Sequence, residues 1–199
     1  MRTTWMRGAM IACLAVTVVT GCAGRRVSYQ DPTKVETVNE DFGSTDLQGI
    51  AQRMVDSLVR HPAISGGQRP VVQVSTVRNK TTEHIDTKSI TDKIRTALIK
   101  TGMVRFTAVS DANREMLENL EYQQQSGAVS ARSMKKVGKQ VGTDYLLYGE
   151  IDSIVKRESS VSDVYYKFTL NLVDVETGII EWSDEKEIRK QANRAVFGP

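Results

Sequence analysis

The chain is poor in the residues that make covalent staples and metal sites. Its 199 residues hold two cysteines, Cys13 and Cys22, and two histidines, His61 and His84. The histidines stand far apart, outside any spacing such as H-E-x-x-H, so no zinc motif can be written from them. No G-x-S-x-G elbow and no G-x-x-x-x-G-K-S/T loop occurs. The glycine pair Gly66-Gly67 leads toward a β-branched run rather than a helix, and so lacks the helix N-terminus that draws a phosphate. These absences remove the usual hydrolase, nucleotidase and metalloenzyme readings: the sequence carries no visible catalytic constellation, no cofactor motif and no small-molecule substrate site. Long hydrophobic runs are also missing. The longest, Gly8 to Thr20, falls short of the roughly 20 residues needed to span a bilayer.

What that run does contain is informative. Arg2 and Arg7 precede it, and it ends in Val19-Thr20-Gly21-Cys22. A short basic segment, an apolar stretch of signal length and a small residue before a lone cysteine make a lipobox. Residues 1–21 are therefore read as a lipoprotein signal peptide and Cys22 as the acylated residue of the mature chain. Each buried methylene contributes on the order of 0.8 kcal/mol, so several acyl chains on one cysteine hold a domain at a membrane almost permanently. Ala23, rather than Asp, follows Cys22, which points to the outer membrane with the domain facing the periplasm.

Cleavage before Cys22 leaves 178 residues, enough for one domain with a real core. The removed segment carries two Arg and no acid, so the formal charge falls from +3 to +1. No clustered basic face of the kind a nucleic acid requires is evident. Cys13 leaves with the signal and Cys22 is taken by lipid, so no disulfide is available in an oxidising compartment.

Residues 22–43 read as a lipidated N-terminus and periplasmic tether, polar and without apolar periodicity. About 20 residues reach at most roughly 70 Å. Residues 44–199 read as a single domain. Leu47, Ile50, Ala51, Met54, Val55 and Leu58 form one helical stripe, capped by Ser44 or Thr45 and ended by Pro62. Pro70 to Val77 is a β-branched strand. Ile90, Ile94, Ala97 and Leu98 mark a helix closed by Gly102, Val104 to Ser110 a short strand, and Ser110 the cap of a polar helix with Met116, Leu117 and Leu120. A further helix is expected through Ala131, Met134, Val137 and Val141, stopping at Gly142. The period then changes to two. Asp144 to Ile154 is a strand, and Val164, Tyr166, Phe168, Leu170 and Leu172 alternate with Tyr165, Lys167, Thr169 and Asn171 as a half-buried antiparallel strand. "DVETG", Asp174 to Gly178, turns the chain into a hairpin partner with Ile180 and Trp182 inward. Asp184, Glu185 and Glu187 alternating with Lys186 and Arg189 give it the look of a solvated edge strand. The expected class is α+β, a mainly antiparallel sheet with helices packed on one side.

Two polar stretches qualify as contact surfaces: Val77 to Asp86 as a long exposed loop, and the amide-rich Tyr122 to Ser133, suited to a wet protein interface.

The segments "DLQGIAQRMVDSLVRHP", "VRNKTTEHIDTKSITDKIRTALIKTG", "GTDYLLYGEI" and "YKFTLNLVDVETGIIEWSDEKEIRK", together with the lipobox, resemble the LpoB-type penicillin-binding protein activators. That resemblance implies a domain like the N-terminal domain of TolB, no enzyme activity of its own, and docking on a small periplasmic accessory domain of a bifunctional class A penicillin-binding protein. It also implies stimulation of that synthase's glycan polymerisation and peptide cross-linking. The tether departs from the long Pro-rich spacer of the best-known members, since Pro32 is its only proline. Partner-contacting residues do not transfer residue by residue, which leaves Cys22 as the one assigned site. The alternatives are a CsgG-like secretion-channel component, which would need amphipathic hairpins of about 9–11 residues per strand beyond the domain's own, and a purely structural envelope lipoprotein.

Overall fold

The computed structural model describes residues 28–36, 39–107, 110–135, 141–158 and 160–193. Contacts divide the chain into Met1–Asp31 and Pro32–Pro199, and the elements that follow belong to the second unit. In order they are α1 (Ser44–Leu58), α2 (Pro62–Ser65), β1 (Val71–Val74), β2 (Arg78–Asn79), α3 (Thr87–Thr101), β3 (Arg105–Phe106), α4 (Ser110–Gln125), β4 (Tyr145–Arg157), β5 (Val161–Asp174) and β6 (Ile180–Asn193).

One sheet carries the domain, with strand order β3-β1-β4-β5-β6 and β2 paired to β4. The long ladders β4/β5 and β5/β6 are antiparallel, whereas β1 pairs in parallel with β3 and β4, and β2 with β4. The fold is therefore α+β with a mainly antiparallel sheet, as the periodicity predicts. The parallel pairs follow from α3 and α4, which return the chain across the sheet before β3 and β4 begin.

Alternation along β5 decides the packing. Val164, Tyr166, Phe168, Leu170 and Leu172 are each at most 1 % exposed. Opposite them in register stand Ile151 and Leu147 of β4 and Trp182 of β6. α1 covers this inner face with Ile50, Met54 and Leu58, and α3 with Ile90, Ile94 and Leu98, all in one core. Gly149 sits beside Leu170 because a Cβ there would collide with the Thr169 carbonyl of the neighbouring strand. α4 differs: among its described side chains none is fully buried, and Asn113, Leu117, Leu120 and Gln123 are half-buried.

Several expectations are corrected. α1 begins at Ser44 with Gly43 as N-cap, and its first amides are met by Asp46 and Glu36 rather than by Ser44 or Thr45. Pro62 does not end α1, which stops at Leu58; it opens α2, where a proline costs no hydrogen bond. Ile180 is 52 % exposed while Trp182 is 8 % exposed, because the register slips between Leu172 and Val173 and carries Ile180 off the inward row. Residues 131–133 form a turn, with Ser133 and Met134 amides donating to the Ser130 carbonyl, where a helix was expected. Val137 lies outside the described residues. Gly102 does close α3, at φ 70°. Asp86 caps that helix, accepting from the Lys88 and Ser89 amides at 3.0 and 3.3 Å.

The two faces of β5 should respond differently to truncation. Phe168→Ala should cost about 3–5 kcal/mol in urea melts, since the cavity adds to the lost transfer energy. Tyr165→Ala, on the opposite face, should cost far less. Equal losses would show that the register is wrong.

Candidate functional site

Cys22 lies outside the described residues. The histidines are apart: His61 Nδ1 accepts from the Ala63 amide at 3.4 Å at the start of α2, and His84 lies in the exposed turn before α3. Among the described residues no group of three or more His, Cys, Asp or Glu side chains could hold a metal ion. No helix among them is long and apolar enough to cross a membrane.

The segment Val77 to Asp86 is not an open loop. Val77 and Ile85 are buried, and Arg78–Asn79 pairs with Glu150–Ile151 as β2. Asn79 Oδ1 takes the Thr81 amide at 2.9 Å, and Asn79 Nδ2 donates to the Glu83 carbonyl at 2.8 Å, closing a tight turn. The Glu83 carboxylate then reaches inward. It accepts from the Tyr166 hydroxyl and, at 3.0 Å, from the Phe42 amide. Burial and the carboxylate beside it push the Tyr166 phenol well above its ordinary value. Polar residues here knit the fold together; composition hid this because the partners lie 41 and 83 positions away in the chain.

In the second candidate, Tyr122 to Ser133, Gln123 and Gln124 join the end of α4 to Lys135 through its amide and carbonyl, both at 3.3 Å. Tyr122 remains 58 % exposed. A cleft of about 610 Å³ beside α4 is lined in part by Val71, Gln73, Phe106, Met116 and Val141.

A further open surface is the face of β4–β6 opposite α1 and α3. Cross-strand neighbours there carry complementary groups: Asp152 faces Lys167, which faces Glu187. Arg189 grips Asp163 with two nitrogens, at 3.0 and 2.5 Å, and the ion pair holds the Asp163 carboxyl below its usual range. Tyr165 donates to Glu187 at 2.6 Å, which pushes its phenol up to about 12. Ile154, paired with Tyr165 in register, is 58 % exposed. Tyr165, Ile154, Arg189, Asp163 and Lys156 together bound a shallow groove of about 370 Å³. An exposed aliphatic and a tyrosine held by charged neighbours suit recognition of a folded protein better than chemistry on a small molecule.

The inner side of β6 is charged as well, which a solvated edge would not require. Asp184 pairs with Arg53 of α1 at 3.0 Å, and Lys190 with Asp46 at 2.5 Å, where Asp46 is 5 % exposed. Burial alone would raise the Asp184 carboxyl, but hydrogen bonds from Ser57, the Glu185 amide and Arg53 outweigh it and hold it below the usual range.

The sequence matches the family described as peptidoglycan-synthase activator LpoB over residues 46–188. The chain belongs to the LpoB family. That match runs from Asp46 of α1 to Ile188 of β6, so the LpoB-family region contains nearly the whole sheet and both core helices. Membership places the chain among regulators of peptidoglycan synthesis that act on a penicillin-binding protein. Among solved structures it is similar to the LpoB C-terminal domain from Escherichia coli, at 21 % identity over 72 % of this chain and 98 % of that one, with a TM-score of 0.44. The corresponding domain from Salmonella enterica gives the same values. Lipoprotein GNA1162 from Neisseria meningitidis is 17 % identical over 64 % of this chain and 88 % of that one, with a TM-score of 0.40. No curated protein matches the sequence.

Acid should loosen this LpoB-family domain. Glu150 and Asp92, held by hydrogen bonds from Lys80 and Lys88, also have carboxyls below their ordinary range, alongside Asp163 and Asp184. Groups depressed on folding contribute stability above their unfolded value, about 4, and lose it as pH falls through the folded value. Urea midpoints should be level from pH 7 to 5 and drop below about pH 4. A midpoint unchanged down to pH 3 would contradict these assignments.

Proposed function

We propose that this LpoB-family chain is an outer-membrane lipoprotein that binds a class A, bifunctional penicillin-binding protein and stimulates its glycan polymerisation and peptide cross-linking. The family match over residues 46–188 carries this reading. Residues 1–21 are the signal peptide, Cys22 takes the lipid, residues 22–43 are the tether and lipidated N-terminus, and residues 44–199 are the binding domain. The target is a small accessory domain of the synthase in the periplasm.

Such a role needs a folded surface, a membrane address and a connection between them. It needs no catalytic group, because an activator works by the free energy of binding one state of its target more tightly than another. Lipid supplies location rather than contact energy: the anchor confines the domain near the synthase and raises its effective concentration there. The CsgG-like alternative is less well supported, since the inner row of β5 is buried in the domain core and is not free to face lipid.

Purified mature chain carrying Cys22→Ser should bind a class A synthase from the same cell and raise its glycosyltransferase rate. In cells the same substitution should abolish acylation, seen by mass spectrometry of the N-terminus, and should impair activation. No binding at tens of micromolar, roughly −6 kcal/mol, with polymerisation and cross-linking unchanged, would leave the structural-lipoprotein reading in the lead.

A further inference from the structure

The last part of the polar N-terminal segment lies on the domain, held by two grades of contact. Nearest the core, the Phe42 ring stands edge-on to Tyr166, with centroids 5.9 Å apart and planes at 74°, and its amide donates to buried-facing Glu83. Lys190 Nζ donates to the Asp41 carbonyl at 2.6 Å. Farther out the contacts are exposed. Gln48 Nε2 donates to the Pro32 carbonyl, and the Glu36 amide donates to Thr45 Oγ1 at 2.7 Å. The Glu36 carboxylate accepts from the Ser44 amide at 2.8 Å and from its hydroxyl at 3.1 Å. That carboxylate sits over the first turn of α1, where the amides lack helical acceptors and a negative charge is favoured. It occupies the space that a Cβ on Gly43 would fill.

The difference in grade has a mechanical meaning. Exposed hydrogen bonds exchange with water at little net cost, whereas Phe42 cannot leave Tyr166 without exposing apolar surface. We infer that the segment from Pro32 to Glu36 is a releasable strap that sets how far the domain stands from its membrane attachment, with Glu40 to Phe42, held at Tyr166 and Lys190, as the fixed hinge. With the strap seated, the covalent path from Cys22 to the domain is residues 23–31, at most about 30 Å; with it released, the path runs to Glu40, at most about 60 Å. The consequence for reach rests on the anchor reading above. A short, proline-poor tether thereby gains a second length without added residues.

Release and locking test this separately. In the mature Cys22→Ser chain, Glu36→Ala should speed hydrogen exchange in peptides covering residues 32–45 by roughly 2- to 10-fold, with peptides of β5 unchanged. Wild-type residues 32–36 already exchanging as unstructured chain would overturn the strap itself. The 2.7 Å bond between Glu36 and Thr45 brings the two backbones within disulfide span, so Glu36→Cys with Thr45→Cys locks the strap under oxidising conditions. The soluble locked chain should stimulate purified synthase like wild type. The lipidated locked chain should lose most of its activity in cells and regain it when about 12 residues are inserted after Asp31. Full activity of the lipidated locked chain without the insertion would overturn the role in reach. Failure of soluble wild type to stimulate any synthase would instead refute the proposed function, and the exchange result would still stand or fall on its own.

Discussion

Burial of the inward row of β5 is the constraint on which the other parts depend. Val164, Tyr166, Phe168, Leu170 and Leu172 lie at the middle of the β4-β5-β6 ladders, and α1 and α3 cover them. Residues 28–193 contain no cysteine and so no disulfide, and this apolar area supplies most of the stabilisation, at about 25 cal/mol per Å² removed from water. The row also fixes direction. Once its five side chains point toward the helices, Tyr165, Lys167, Thr169 and Asn171 must point away, and the outer face of the sheet becomes a surface by necessity.

The charged pairs follow from that choice and serve a different end. α1 lies partly over β6, the edge of the sheet, where the strand turns Asp184 and Lys190 inward. Arg53 and Asp46 meet them from α1. Pairs of this kind contribute little net energy, yet breaking one leaves a partly buried charge, so they favour one placement of the helix over its neighbours. The inward charges also blunt the edge against pairing with another chain. Tyr166 joins the same region to Glu83 and Phe42, so the core, the β2 turn and the N-terminal segment meet at one hydroxyl.

An activator built this way separates the work among its parts. The core fixes which face of the sheet is turned outward, that face offers an aliphatic and a tyrosine among ordered charges, and the N-terminal segment packs against the first turn of α1 and Tyr166. Membership of the LpoB family gives these features a common purpose, since a regulator of a peptidoglycan synthase requires recognition and position rather than bond chemistry.

Periodicity alone determined the class, the helical stripe from Leu47 to Leu58, the closing of α3 at Gly102 and the inward set of β5, because each is a local pattern with one satisfying burial. Tertiary structure decided what no local pattern contains. Whether Ile180 or Trp182 turned inward depended on a register slip against β5. Polar Val77 to Asp86 read as a loop because its partners, β4 and Tyr166, come from far along the chain. The helix expected at Ala131 and Met134 had apolar residues at helical spacing but gave way to a turn at Ser130 to Ser133. Glu36 and Asp41 looked like tether for the same reason that Glu83 looked like loop: a polar side chain declares that it needs a partner, and only the folded chain determines which one it finds.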